Sequence, residues 1–225
     1  VKIHALNPMQ YRIYKYLGFK NVYLIPNFLE TVKIKNIKEN LDEFIVCYIG
    51  RIDPKHKGID ILIEVMKKTL EKNKNIKFYI GGIGDKEFEK QLKELENNYP
   101  NNVKYLGRVS DEEKFELLSK SSIFVLPSRW ESGFPTLAFG EATSEGNICL
   151  LSNIPAHKYI LNLENKFGFI CKNVEDYVNK ILELYDFWKN NKKEFLEWRK
   201  YIQKRAIELF SLEKIVKEFE EKLLN

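Results

Sequence analysis

The chain has 225 residues, 44% hydrophobic and 13% aromatic, which is ample for one large core or two small ones and too apolar for a disordered segment. Thirty-seven Lys and Arg against 32 Asp and Glu leave a formal charge of +5. That excess is spread along helices and loops and does not form the basic patch of a dedicated nucleic-acid binder, so an anionic small ligand or a membrane surface stays open as a partner. No apolar run approaches the roughly 18 residues needed to cross a bilayer, and no charged start leads into an apolar core as in a secretory signal. Cys47, Cys149 and Cys171 stand apart inside apolar runs, without zinc-site or disulfide-framework spacing. They read as buried thiols in a reducing compartment, and the chain as cytoplasmic.

In chain order, the residues from Val1 read as part of a helix, and a start at Val1 leads us to expect a piece of a longer protein. "NPMQYRIYKYLGFKNVYLIPNF" then reads as a helix, a Gly stop, a short strand and a Pro-Asn turn, and "KIKNIKENLDE" (33–43) as a polar connector. Six β-rich runs follow, at 44–50, 76–82, 103–107, 123–128, 148–152 and 168–172. Between them lie amphipathic segments. In 58–74 apolar residues recur at Ile59, Leu62, Ile63, Met66 and Leu70, one face of a helix, and 86–98 and 111–121 behave similarly. After Cys171 the pattern is wholly helical and charged. Strands alternating with helices of this length predict an α/β fold, a Rossmann-like parallel sheet flanked by helices with a helical C-terminal extension.

Such sheets bind ligands at the carboxyl ends of their strands. Those ends are Gly50-Arg51, Gly81 to Gly84, Gly107-Arg108 and Ser128 to Pro135, so glycine and charge gather along one rim. In "RIDPKHKG" Arg51 and Lys57 flank a proline turn and Gly58 opens the next helix, whose free N–H groups and two neighbouring cations make a diphosphate clamp. A solvated basic loop accounts for the same residues. "GGIGDKE" lacks the full dinucleotide fingerprint, and Asp85, Glu87 and Glu89 oppose phosphate at that helix start, so it reads as a tight turn lining a pocket. In "PSRWESGFPTLAFGEA" Glu131 precedes a Gly-Phe-Pro turn and Glu141 falls on the next helix; two carboxylates around a cradle of backbone N–H groups suit a nucleotide sugar. A helix cap and a surface acid are the plainer reading of the pair. His4, His56 and His157 lack ligand spacing and read as solvent or helix-end residues. The segment shows no catalytic triad, HExxH or Walker pattern.

The order "VYLIPNF", "YIGRIDPKHKGIDILIE", "YIGGIGDKE", "VKYLGRVSDEEKFELLSKSSIFVLPSRWESGFP" and "GEATSEG" resembles the nucleotide-binding C-terminal half of GT-B glycosyltransferases, specifically the retaining enzymes of glycosyltransferase family 4. The resemblance runs from about Val22 to the last helix. It implies residues 1–28 as the end of an N-terminal domain with its linker, and 29–225 as the donor-binding domain. It implies that Arg51 and Lys57 bind the donor diphosphate and stabilise the leaving nucleotide without a metal or cofactor. Glu131 would contact the transferred sugar, and Gly133 and Phe134, with Pro135 and Thr136, would cradle sugar and phosphate. Glu141 would hold the ribose, Gly50 and Gly82 would line the pocket, and the backbone at Arg108 and Val109 would meet the base. Lys55 and His56 fall in the variable turn and are expected to face solvent.

The partners it implies are a nucleoside-diphosphate sugar, a glycan or lipid-linked acceptor and an absent N-terminal acceptor domain, with peripheral contact at the inner membrane surface left open. Family members usually place fewer residues between the two glutamates than the nine found here, Ser132 to Gly140, which makes Glu131 the less secure of the two. The isolated chain is expected to bind donor but to transfer sugar poorly. A non-catalytic binding module and a GT-B sugar-nucleotide epimerase are the competing readings; intact Arg51, Lys57 and Glu141 weigh against the first, and the lack of the required acids and histidines against the second.

Overall fold

The first three-residue strand, β1 (Ile3–Ala5), lies where the sequence suggested a helix. It pairs in parallel with β2 (Val22–Leu24). Between them runs α1 (Pro8–Tyr16), started by Asn7, whose side chain accepts from the Gln10 N–H, and by Pro8 in the first turn. It stops before Gly18, which takes φ +87°. In this computed structural model the described residues are 1–29, 37 and 42–224, so most of the polar connector expected at 33–43 lies outside them.

The six β-rich runs become strands of one parallel sheet: β3 (Phe44–Ile49), β4 (Ile76–Gly81), β5 (Val103–Gly107), β6 (Ile123–Leu126), β7 (Ile148–Ser152) and β8 (Gly168–Cys171). Their order across the sheet is β5-β4-β3-β6-β7-β8, the doubly wound arrangement in which the chain starts in the middle and winds outward both ways. β3 and β6 sit at that reversal and are buried along their whole length, as strands covered on both faces must be.

The crossovers are α2 (Ile59–Lys72), α3 (Lys86–Asn98), α4 (Asp111–Lys120), α5 (Leu137–Ser144) and α6 (Pro155–Leu163). α2 turns Ile59, Leu62, Val65, Met66 and Leu70 inward without exposure, so its apolar stripe is the face that meets the sheet. α4 opens with a full capping box, Ser110 and Glu113 each bonding the other's backbone N–H. α7 (Val174–Asn190), α8 (Lys192–Phe210) and α9 (Leu212–Phe219) form the expected helical end. Arg199 of α8, 1% exposed, donates from Nε to Gly146 O at 3.2 Å and from Nη2 to Glu145 O at 3.0 Å, fixing α8 to the turn that follows α5. The three cysteines are buried thiols, and burial pushes Cys47 and Cys171 up to about 12, which keeps them un-ionised.

The last helices return to the first residues. Leu29 N–H donates to Phe210 O at 2.7 Å, Leu29 bridges Ser211, and the Phe219 ring meets His4 edge-on at 5.9 Å. Among the described residues no helix is long and apolar enough to cross a membrane.

Candidate functional site

Where the winding direction reverses, the loops leaving β3 and β6 part and open a crevice at the carboxyl edge. Glycines let the neighbouring loops close against each other. Gly50 N–H donates to Gly81 O at 3.0 Å and Gly82 N–H to Gly107 O at 2.6 Å, so three strand ends are laced through main chain. Gly82, at φ +139°, could carry no side chain, because a Cβ there would stand 1.7 Å from Gly50 O. Val109 packs where a Cβ on Gly81 would meet it at 3.3 Å, Tyr105 Oη donates to Gly82 O at 2.9 Å, and Arg108 stays exposed. Gly84 N–H is taken by the Glu89 carboxylate at 2.7 Å and the Asp85 side chain caps α3.

The elbow between β3 and α2 is held from within. Tyr48 Oη donates to Arg51 O at 2.7 Å through the space that Gly50 leaves, and burial, reinforced by Glu131 and Asp53, pushes that hydroxyl up. Asp53 Oδ1 accepts the N–H groups of Lys55 and His56, a turn that holds the Asp53 carboxyl below its usual range. Lys55 faces solvent as expected; His56 does not. It is half-buried, its Nδ1 lies 2.8 Å from Arg51 Nη2, and its ring stacks on Trp130 at 4.1 Å and 17°. An arginine can only donate, so Nδ1 is the acceptor and the imidazole proton sits on Nε2, a buried atom with no partner among the described residues.

Lys57 turns inward. Its Nζ donates to both oxygens of Glu131, at 2.7 and 2.9 Å, with the side chains 19% and 5% exposed. The pair spans the reversal from the β3 loop to the β6 loop and stands beside the start of α2. There Gly58 is the N-cap at φ +67°, and a Cβ would be 2.2 Å from Pro127 O. Gly58 offers no side-chain cap, and the Asp60 carboxylate in the first turn takes the N–H groups of Asp60 and Ile61, so the dipole end is partly occupied from within.

After Glu131 the chain docks on the first segment. Asn7 Nδ2 donates to Ser132 O, Asn27 Nδ2 to Pro135 O and Asn27 N–H to Phe134 O, each at 2.7 Å. Gly133 makes room for this, since a Cβ would meet Asn27 Nδ2 at 2.9 Å. The Phe134 side chain is core, edge-on to Tyr159 at 4.9 Å, and the Thr136 hydroxyl caps α5. Glu141 lies on α5 as expected, and among the described hollows it lines a different one from Glu131. Its Oε1 takes a 2.6 Å bond from Lys114 of α4, and it lines a hollow of about 250 Å³ with Phe28, Leu29, Phe115 and Leu137. Glu131 instead lines a hollow of about 400 Å³ with Met9, Ile13, Trp130, Ile154 and Tyr159.

Two residues that sequence reasoning passed over complete the site. Lys114 was read only as part of a helix, and its link to Glu141 crosses between elements 27 residues apart. His157, expected at a helix end in solvent, is 0% exposed. Its Nδ1 is 3.1 Å from both Ser152 Oγ and Ser152 O, and Ser152 Oγ donates to Ser128 O, tying α6 to the root of the Glu131 loop. Burial lowers His157 to about 4, with the Lys57 charge adding to the shift and Ser152 and Glu131 opposing it. A signal existed: His157 and Ile160, three apart, share the inward face of α6.

A doubly wound sheet with a glycine-laced rim and cations at its reversal belongs to the nucleotide-binding class of α/β folds. The family model for glycosyl transferases group 1 matches residues 30–205, and the chain belongs to that family. It is 28% identical over 219 residues to a glycogen synthase of Mycoplasma mobile, covering 93% of this chain and 44% of that protein. It is 33% identical over 172 residues to an uncharacterized 41.2 kDa protein in the cps region of Klebsiella pneumoniae, covering 74% of this chain and 44% of that one. Among solved structures, S. aureus TarM with fondaparinux, α-GlcNAc-glycerol and UDP superposes with a TM-score of 0.79 at 26% identity, over 98% of this chain and 43% of that one. The chain therefore spans less than half the length of these relatives.

Proposed function

We propose that this chain is the donor-binding half of a retaining glycosyltransferase of family 4, which moves a sugar from a nucleoside-diphosphate donor to a glycan or lipid-linked acceptor. The observation that carries the reading is the Lys57–Glu131 pair at the sheet reversal, beside the start of α2 and on the same elbow as Arg51. The diphosphate sits against Lys57, Arg51 and the first N–H groups of α2, where positive charge lowers the cost of the departing nucleotide. Lys57 carries three donors and gives two to Glu131, so one remains for a phosphate oxygen. Glu131, held in place by Lys57, accepts from sugar hydroxyls. Glu141, oriented by Lys114, takes a ribose hydroxyl, and the main chain at Arg108 and Val109 meets the base. The leaving phosphate removes the acceptor proton on the face it departs from, giving retention. Positive charge comes from the protein, so the reading calls on no metal or cofactor.

Residues 1–28 belong, on this reading, to the end of a preceding acceptor-binding domain and its linker, and 29–225 to the donor domain. Support comes from β1 and β2, a parallel pair with no third strand among the described residues, since two parallel strands do not hold a sheet alone. Met9, Ile13, Tyr16 and Leu17 on and just after α1 are also exposed.

Calorimetry of the chain with uridine, guanosine and adenosine diphosphates tests the core of the proposal. One of them binds, and Arg51→Ala with Lys57→Ala weakens it at least tenfold. Absence of binding by all three would leave the inert module as the better reading.

A further inference from the structure

We propose that Trp130 is a stacking platform for a pyranose ring seated beside Glu131, a subsite that rests on reading Glu131 as the sugar-facing carboxylate. Trp130 is 53% exposed and borders the hollow that Glu131 lines. It is nevertheless held. One face lies on His56 at 4.1 Å and 17°. His56 is fixed by the Asp53 carboxylate on its N–H, by Arg51 on Nδ1 and by the Arg129 N–H on its carbonyl at 2.8 Å. Arg129, next to Trp130 in the chain, is clamped by two bonds to Asp60, at 2.8 and 2.7 Å, and by Pro54 O. An aromatic ring presented rigidly gives contact area with little ordering cost on binding.

The hollow that Trp130 borders fits such a ring. Its volume of about 400 Å³ is lined by apolar side chains, chiefly Met9, Ile13, Ile154 and Tyr159, with the Glu131 carboxylate among them. Small-molecule sites are typically about 300–1,000 Å³, mostly apolar with a few placed polar groups. A pyranose has the matching two-sided character: a face of C–H groups for the indole, and equatorial hydroxyls for a carboxylate that accepts two at once. The hollow adjoins the Lys57–Glu131 pair, so the ring belongs either to the donor's own sugar or to the acceptor.

The test compares wild type, Trp130→Ala and Trp130→Phe by calorimetry with three probes: UDP, UDP-glucose and maltotriose. UDP is expected to bind all three proteins, which reports an intact fold, with any loss smaller than that for the sugar probes because Trp130 reaches the diphosphate only through His56 and Arg51. The affinity for a sugar-bearing probe falls about three- to tenfold in Trp130→Ala and less in Trp130→Phe. A fall for UDP-glucose assigns the ring to the donor; a fall for maltotriose alone assigns it to the acceptor. Equal sugar affinities in wild type and Trp130→Ala, a UDP loss as large as the sugar loss, or no sugar-dependent binding by wild type would each overturn the proposal. Failure of uridine, guanosine and adenosine diphosphates alike to bind wild type sinks the nucleotide reading instead, and maltotriose binding that needs Trp130 would survive it.

Discussion

The two ends of the six-stranded sheet carry hollows of different construction. At the amino end the larger one, about 680 Å³, is walled by Asp42, Glu43, Lys74, Lys77, Asn101 and Lys104, and its Lys77–Glu43 pair lies open, 28% and 45% exposed. At the carboxyl end the smaller one adjoins Lys57 and Glu131, whose pair is 19% and 5% exposed, and the loops around it are laced by main-chain bonds. Size does not mark the site here. What separates the ends is that the amino-end pair is solvated, whereas the carboxyl end holds one pair, Lys57–Glu131, that is desolvated and fixed.

The sharpest way to break that contrast is at the lacing. Gly82→Ala puts a Cβ into Gly50 O, and is expected to cost roughly 3–5 kcal/mol in urea unfolding through overlap and backbone strain. Asn101→Ala at the exposed amino end should change stability by less than about 0.5 kcal/mol. Equal effects would mean that the rim is not rigid.

Acid probes the carboxyl end through His157. Its ordinary value is 6.5 and burial lowers it to about 4, so the unfolded chain binds more protons between those values. Stability should fall by about 3 kcal/mol as pH drops from 6.5 to 4 and then cease to fall on this account. The carboxyls held below their usual range add to the loss only at the acid end, Glu164 from about its ordinary value of 4.5 and Asp53 and Asp60 from about 3.8 downward. His157→Gln should flatten the upper window; an unchanged slope would place its origin elsewhere.

The smallest effect compares the ion pairs. Lys57→Ala leaves Glu131 desolvated and unpaired and should cost about 2 kcal/mol, while Lys77→Ala should cost less than about 1 kcal/mol. A coupling energy for Lys57 and Glu131 no larger than that for Lys77 and Glu43, measured in double-mutant cycles, would erase the distinction.

Much of this was legible in the sequence. The six strands are short apolar runs, five of them closed by glycine, serine or proline, and their alternation with stripes such as Ile59–Leu62–Met66 points to a parallel doubly wound sheet. Arg51, Lys57 and Glu131 could be placed on one rim because strand ends converge by topology. β1 escaped because three residues, Ile3 to Ala5, carry too little alternation to declare a strand. His56 and Trp130 are 74 residues apart, and neither the stack nor the resulting tautomer of His56 leaves a periodic trace. Lys114 and Glu141 meet for the same kind of reason, through the packing of two helices.

The Leu29–Ser211 bridge has a mechanical meaning. The chain passes between its small first sheet and its large one twice, at Pro26–Leu29 and at Phe210–Ser211, and the bridge sets both crossings side by side. Two adjacent crossings tie the two sheets at one place, and the Asn7–Ser132 bond ties them again across the Glu131 loop, so the loop that carries Glu131 is fastened to the first sheet as well as to its own.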